Sequence, residues 1–183
     1  METEQQLLNA IRSGEREAKR RLYERYSGYA MATAQRYVPD PDEVRDVMQD
    51  SFVKILTTIE RFSYRGEGSL KAWVNSIVTH RAIDYLIAKE HQRIVVLDHL
   101  PDEPETEEEP DVGRVPPDVL TRLIGQLPAG CRMVLNLHVF EQMPHKEIAR
   151  LLGVKPETSV SQYSRAKKAL AKLIKNYQNT HQQ

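Results

Sequence analysis

The sequence lacks the residues on which several classes of protein depend. Cys131 is the only cysteine among 183 residues, so no disulfide can form within the chain, and we expect a reducing compartment. Aromatic residues make up 7% of the chain, with a single tryptophan. No run approaches the roughly 20 apolar residues that cross a bilayer, and no apolar signal segment stands at the N-terminus. We therefore expect no membrane insertion and a cytoplasmic location.

Signatures of metal binding and catalysis are missing as well. The six histidines lack the spacing to one another, to cysteine or to acidic residues that metal sites require. The segment GEGS at residues 66–69 lacks the Gly-Lys-Ser/Thr ending of a phosphate-binding loop. No candidate nucleophile is marked by a neighbouring base. We expect neither an enzyme nor a bound cofactor or metal ion.

Charge is present in quantity but is unevenly distributed. The formal net charge is zero, yet residues 98–118 carry nine acidic residues and one base, whereas residues 119–183 carry ten bases and three acids. The acidic stretch falls mostly within residues 94–117, which are rich in proline and offer little to bury, so we predict a flexible acidic linker there. A basic segment beyond such a linker is typical of a nucleic-acid-binding module.

The apolar residues indicate a helical protein. They recur at helical spacing along nearly the whole chain, and strand-like alternation is confined to RIVVL at 93–97. We predict four helices before the linker, at about 4–13, 15–37, 44–61 and 70–92. Four more should follow it, with breaks at 128–130, 143–144 and 153. The prediction is an all-α fold of two small helical domains, residues 1–93 and 118–183, joined by the linker 94–117.

A helix-turn-helix pattern stands in the C-terminal domain. In EIARLLGVKPETSV, at 147–160, Ala149 is small where two helices would cross, and Gly153 tolerates the positive φ of a corner. Pro156 suits the first turn of the next helix. That helix then presents polar residues at i, i+3, i+4 and i+7 that could reach base edges: Thr158, Ser161, Gln162 and Arg165. The alternative is an ordinary helical hairpin with a solvated basic face.

Polar surfaces also mark the N-terminal domain. The third helix carries a mixed acidic and amide group with one aromatic, which packing of the bundle does not explain: Asp46, Gln49, Asp50 and Phe52. Between residues 61 and 93, basic residues alternate with aromatic residues, a combination that suits single-stranded or opened DNA. The fourth helix presents polar side chains that can hydrogen-bond to bases: Asn75, Ser76, Thr79 and His80.

These segments together resemble a known family. DVMQDSFVKIL, at 46–56, followed by FSYRGEGSLKAWVNSIVTHRAIDYL, at 62–86, is similar to region 2 of bacterial sigma factors of the extracytoplasmic-function class (ECF, group IV) of the sigma-70 family. LPAGCRMVLNLHVFEQMPHKEIARLLGV, at 127–154, with SRAKKAL at 164–170 is similar to region 4. Two motifs in this order, separated by a short acidic linker, form a more specific signal than either motif alone.

The resemblance implies a sigma factor that binds core RNA polymerase and directs initiation at promoters through their −10 and −35 elements. It implies contacts with the β′ clamp helices by Asp46, Gln49, Asp50 and Phe52, and with the β flap by the C-terminal domain. It assigns the −10 element to Arg61, Tyr64, Arg65, Lys71, Asn75, Thr79 and His80. It assigns the −35 element to Thr158, Ser161, Gln162, Arg165 and Lys168. It also implies an anti-sigma factor as a partner.

The chain departs from the family pattern in the recognition helix. Where the family commonly has a Val-Lys pair, this sequence has Ser159 and Val160, so no particular −35 sequence is expected. Val160 either meets a thymine methyl group or packs within the domain. The main alternative function is a DNA-binding regulator with a helical sensor domain, which would need a ligand pocket or dimer seam in residues 1–92. No such signature appears there.

Overall fold

The computed structural model describes residues 2–94, 113 and 115–181, and within 90–94 and at 181 it describes the helical backbone alone. Most of the expected linker 94–117 and of the segment 93–97 lies outside these residues. The described part contains eight α-helices and no strand, which confirms the all-α prediction. The chain divides into two compact units, Met1–Tyr85 and Leu86–Gln183. This division falls within the fourth helix, and the domain boundaries at 93 and 118 remain predictions.

The first unit begins with helices whose starts follow from local capping. Its helices are α1 (Glu4–Arg12), α2 (Ala18–Tyr37), α3 (Pro41–Thr58) and α4 (Ser69–Ile94), with a 3-10 turn at Ile59–Arg61 after α3. We predicted that α3 begins at Val44, and this is wrong. The Asp40 carboxylate accepts hydrogen bonds from the backbone N–H groups of Asp42 and Glu43, and Pro41 occupies the first turn without losing a donor.

The core of the first unit forms where α3 packs against α2. Six apolar residues of α3 and of the turn that follows it are buried: Val44, Val47, Met48, Phe52, Ile55 and Ile59. Leu22 and Tyr26 of α2 are buried too, but Tyr29 is 39% exposed. Tyr29 therefore lies at the edge of the buried face of α2.

The second unit consists of α5 (Pro117–Gly125), α6 (Ala129–Val139), α7 (His145–Leu152) and α8 (Pro156–His181). The predicted breaks near 128, 144 and 153 coincide with the helix boundaries. Gly153 ends α7 with a φ of 68°, the left-handed conformation that the corner was expected to need. Helix α6 is buried from Ala129 to Leu137, and it lies at the centre of the unit. The corner and the long helix α8 are thereby held against one core.

Candidate nucleic-acid and polymerase interfaces

One face of α3 presents a polar stripe. Asp46, Gln49 and Asp50 are exposed, and Val53 continues the same stripe with 58% of its surface exposed. These four residues follow i, i+3, i+4 and i+7 spacing, so they lie on one side of the helix, opposite its buried apolar residues. The stripe therefore offers two carboxylates, an amide and one apolar side chain to a partner.

Phe52 does not belong to that exposed stripe. It is 5% exposed, and its ring meets the ring of Tyr23 edge to face, with 4.7 Å between the ring centroids. The expectation that Phe52 is a surface residue is wrong, because its position falls on the apolar side of α3. Tyr23 of α2 is 49% exposed and is the aromatic residue at this surface. No sequence pattern indicated Tyr23, because its exposure depends on how α2 packs on α3.

A cleft lies beside the loop that joins the 3-10 turn to α4. Its volume is about 500 Å³, and it is lined by Arg61, Phe62, Ser63, Arg65, Ser69, Ala72 and Trp73. The Phe62 and Trp73 rings lie 5.1 Å apart and form its aromatic wall, while the side chains of Arg61 and Arg65 are exposed. An aromatic wall with two guanidinium groups beside it is suited to a planar, negatively charged ligand.

Tyr64 lies in the same loop and is half-buried. Its hydroxyl donates a hydrogen bond of 3.3 Å to the carboxylate of Glu67. Partial burial and the neighbouring negative charge of Glu67 raise the pKa of Tyr64.

The exposed face of α4 continues from this cleft. Lys71 Nζ lies 4.2 Å from the centre of the Tyr29 ring, a cation–π contact that fixes the ammonium group at the surface. Farther along, His80 Nδ1 donates to the carbonyl of Ser76 at 2.6 Å. A second cleft, of about 240 Å³, is lined there by Lys54, Ser76, Ile77, His80, Arg81 and Asp84. Lys71 and His80 thus lie on the outer face, as expected.

Asn75 and Thr79 do not share that face. They are 8% and 3% exposed, and Thr33 Oγ1 donates a 2.8 Å hydrogen bond to Asn75 Oδ1 across the interface between α2 and α4. The expectation that both present their side chains to DNA is wrong. Helix α4 buries two adjacent rows of side chains, of which Val74 and Val78 form one and these two polar residues form the other.

The helix-turn-helix corner contains a cluster of rings. His138 and His145 stack with 4.3 Å between their centroids, and the rings of His138 and Tyr163 meet edge to face with 4.7 Å between their centroids. His145 Nδ1 also shares a 2.9 Å hydrogen bond with the hydroxyl of Ser159. Burial and the neighbouring charge of His138 lower the pKa of His145. The cluster joins α6, α7 and α8, so it sets the angle at which α8 leaves the corner.

The start of α8 departs from expectation at one of its five predicted residues. Gln162 is 1% exposed and lies against Gly130 of α6, so its expected place on the exposed face is wrong. Ser159 and Ala166 are buried beside it, which shows that this row of α8 faces the core. The other four are partly exposed: Thr158, Ser161, Arg165 and Lys168. Val160 is 51% exposed, so it does not pack within the unit.

Comparison with known proteins matches both units. Residues 22–91 match the family described as Sigma-70 region 2, and residues 118–170 match the one described as Sigma-70, region 4. The RNA polymerase sigma-H factor of Pseudomonas aeruginosa is 26% identical over 184 residues, which cover 94% of each chain. The ECF RNA polymerase sigma-E factor of Escherichia coli is 27% identical over 182 residues, 92% of each chain.

A solved structure shows the same fold. The sigma factor RpoE from Bartonella quintana, crystallised with the anti-sigma factor NepR, aligns with a TM-score of 0.52 at 19% identity. The alignment covers 87% of this chain and 98% of that chain.

These matches and the two helical units lead to one assignment. The chain belongs to the sigma-70 family of RNA polymerase sigma factors, because the two family models together match more than half of its residues. As a sigma factor it binds RNA polymerase and directs transcription initiation at promoters, and sigma factors are initiation factors rather than catalytic enzymes. Among the described residues, no helix has the length and hydrophobicity of a membrane span, and no three metal-ligating side chains come together.

Proposed function

We propose that this chain recognises the −10 promoter element with the loop and outer face of α4 and the −35 element with the start of α8, once α3 has docked on core RNA polymerase in the cytoplasm. The observation that carries the proposal is the cleft of about 500 Å³ between the Phe62–Trp73 wall and the exposed guanidinium groups of Arg61 and Arg65. It combines a stacking surface with phosphate-binding charge at one place.

The stripe on α3 is the proposed contact with the β′ clamp helices. Asp46, Asp50 and Gln49 are exposed acceptors for charge-assisted hydrogen bonds from a basic partner. Val53 and Tyr23 add apolar surface beside them, 58% and 49% exposed. Phe52 supports this surface from below through its ring contact with Tyr23. The β flap is the corresponding partner of the C-terminal unit.

The −10 element would be opened by capture of bases from one strand. An unstacked base can lie on Trp73 while Arg61 and Arg65 neutralise the flanking phosphates. The rest of the strand would then contact Tyr64 in the loop and Lys71 and His80 on α4. Stacking of a base on an aromatic side chain is worth about 1–3 kcal/mol. Separation of one base-pair step costs about 1.4 kcal/mol of stacking. One captured base therefore offsets about one opened step, so opening several pairs needs the cationic contacts too.

The −35 element would be read in duplex form by the exposed residues at the start of α8. Val160 offers a methyl-sized apolar contact of the kind that recognises thymine, and Thr158 and Ser161 offer hydroxyl groups. Arg165 and Lys168 follow on the same helix as phosphate or base contacts. Gln162 is excluded from this set by its burial.

An anti-sigma factor is the further partner we propose, since the Bartonella quintana RpoE structure contains one. Such a partner would have to cover the α3 stripe to prevent docking on the polymerase. A test is competition between a purified anti-sigma candidate and core polymerase, with Asp50→Ala as the variant that weakens both contacts.

Selection from a randomised promoter library by the holoenzyme tests the recognition proposal. The selected sequences should share two elements about two helical turns apart, a distance of roughly 70 Å along the DNA. Val160→Ala should relax the upstream element alone, and Arg65→Ala the downstream element alone. Enrichment of one operator by the chain without polymerase would favour the alternative, a DNA-binding regulator.

A further inference from the structure

Helix α1 contacts both ends of the loop that lines the cleft, although it precedes the matched residues 22–91. At the far end of the loop, the Glu4 carboxylate accepts hydrogen bonds from the backbone N–H of Leu70 at 2.9 Å and of Lys71 at 3.0 Å. Tyr26 donates a third bond to the same carboxylate, at 2.9 Å. Glu4 is 2% exposed, so this carboxylate is part of the interior.

The start of α4 depends on this distant cap because its own cap position has no side chain. The residue before the helix is Gly68, whose φ of +89° suits glycine and strains other residues. The first amide groups of a helix need acceptors, which a side chain at that position usually supplies. Burial raises the pKa of Glu4, but hydrogen bonds from Leu70, Tyr26 and Lys71 outweigh burial and leave the pKa lowered. Glu4 therefore caps α4 as a carboxylate.

The near end of the loop is held by the last residue of α1. Arg12 Nη2 donates a 2.5 Å hydrogen bond to the carbonyl of Phe62, where the 3-10 turn ends and the loop begins. Phe62 forms the aromatic wall of the cleft with Trp73. A shift of this carbonyl would therefore move the stacking surface itself.

The loop returns a contact to α1. Glu67 accepts from the backbone N–H of Glu4, the first residue of α1, at 3.3 and 3.4 Å, and from Arg25 of α2 at 3.3 Å. Glu67 of the loop thus lies at the start of α1, and Glu4 of α1 lies at the start of α4. Negative groups at helix starts are favourable. The two elements hold each other in one geometry.

We infer that α1 is a positioning element for the −10 loop, and that Glu4 and Arg12 are its positioning residues. The inference rests on the proposed function, since it presumes that the cleft receives DNA. Neither residue touches the DNA in this account. Both hold the loop in the conformation that binds DNA. The loop is therefore ordered when the chain folds, and its ordering does not reduce the affinity for the promoter.

The test compares Glu4→Gln and Arg12→Ala in reconstituted holoenzyme. The rate of promoter opening is followed by permanganate reactivity of unpaired thymines, and the affinity for core polymerase is measured in parallel. We expect opening to slow by on the order of fivefold, in line with loss of a helix cap, with core affinity unchanged. Arg12 is exposed, so its variant reports on the loop even if Glu4→Gln destabilises the unit.

Matched controls separate the possible failures. Arg16→Ala removes the same charge from an exposed position just after α1, and Gln5→Ala alters the exposed face of α1, so both should open promoters at the normal rate. Arg65→Ala within the loop should slow opening.

If Arg65→Ala slows opening while Glu4→Gln and Arg12→Ala do not, the inference about α1 is overturned and the proposed function stands. If both α1 variants lose core affinity as strongly as opening, α1 has a general structural role and the inference is also overturned. If Arg65→Ala has no effect, the proposed −10 role fails and takes the inference with it.

Discussion

The carboxamide of Gln162 lies so close to Gly130 that a β-carbon on residue 130 would be 3.1 Å from Gln162 Nε2. The glycine therefore gives α8 a place for a polar side chain against α6, the central helix of the second unit. This relationship converts Gln162 from a candidate for base recognition into a packing residue. It leaves Val160, which is exposed, as the neighbouring candidate for contact with DNA.

Gln162→Ala should destabilise the second unit without a specific loss of −35 recognition. Truncation of a buried apolar side chain of this size costs about 2–5 kcal/mol through the cavity it leaves, and loss of the unpaired Nε2 offsets part of that cost. The free energy of opening is measured by amide hydrogen exchange over residues 145–166. Val160→Ala is the matched control, which should keep protection unchanged and weaken −35 binding. Normal protection in Gln162→Ala combined with lost −35 sequence preference would restore Gln162 to the recognition surface.

Gln162→Met should be tolerated, because it keeps the length of the side chain. It also removes Nε2, a buried group that has no hydrogen-bond partner among the described residues. An unsatisfied buried group costs about 1–3 kcal/mol, so protection in α8 should be at least as high as in the natural chain. A marked loss of protection would mean that the amide makes a contact that stabilises the unit.

The second unit should lose stability as the pH falls below about 6.5, the ordinary pKa of histidine. The pKa of His145 is lowered in the folded chain, so near this pH the unfolded chain binds more protons and stability rises with pH. The contribution is therefore complete above the unfolded pKa and declines on acidification. Hydrogen exchange of α7 at pH 5.5 and pH 7.5 measures it. His145→Gln should flatten the pH dependence of stability. An equal slope in this variant would show that another group causes the pH dependence.

Asn75→Ala and His80→Ala should act on different properties. Asn75 is buried and accepts a hydrogen bond from Thr33, so its loss should destabilise the first unit by about 1–3 kcal/mol in urea unfolding followed by Trp73 fluorescence. His80 is exposed and should leave stability within about 0.5 kcal/mol while altering the preferred −10 sequence. The reverse pattern would contradict the assignment of the two faces of α4.

Asp50→Ala with Gln49→Ala should weaken binding to core polymerase and leave the unfolding free energy nearly unchanged, since both side chains are exposed. We expect a loss of about 1–3 kcal/mol in binding, or roughly fivefold to 150-fold, for contacts that include a charged group. Equilibrium titration with labelled core polymerase measures this. Glu17→Ala removes an exposed acid from the start of α2 and is the control. Equal affinities for the double variant and the control would remove the α3 stripe from the interface.

The sequence predicted the helices and the corner well because those features are local. Helical spacing of apolar residues, proline at helix starts and Gly153 at the corner each depend on a few neighbouring positions. The residues that were misplaced depend on contacts between distant parts of the chain. Asn75 is polar yet buried because Thr33, 42 positions away, supplies its hydrogen-bond partner. Polarity alone had indicated exposure.

The same reason explains what the sequence did not indicate at the cleft. Glu4 reaches the amide of Leu70 across 66 positions, and no short motif reports such a contact. Arg12 and Phe62 are separated by 50 positions. Tyr29 meets Lys71 across the interface between α2 and α4, a contact that no local pattern indicates. The sequence thus indicated the basic and aromatic residues of the loop, whereas the contacts of Glu4 and Arg12 that hold the loop were found only in the structure.

Run-off transcription with purified core RNA polymerase measures directly whether this chain directs promoter-specific initiation. Core enzyme and a promoter selected by the holoenzyme are combined with and without this chain, and transcripts of defined length are counted. We expect a discrete run-off product that appears when the chain is added and is lost with the Asp50→Ala and Gln49→Ala double variant. Identical transcripts with and without the chain would contradict this expectation.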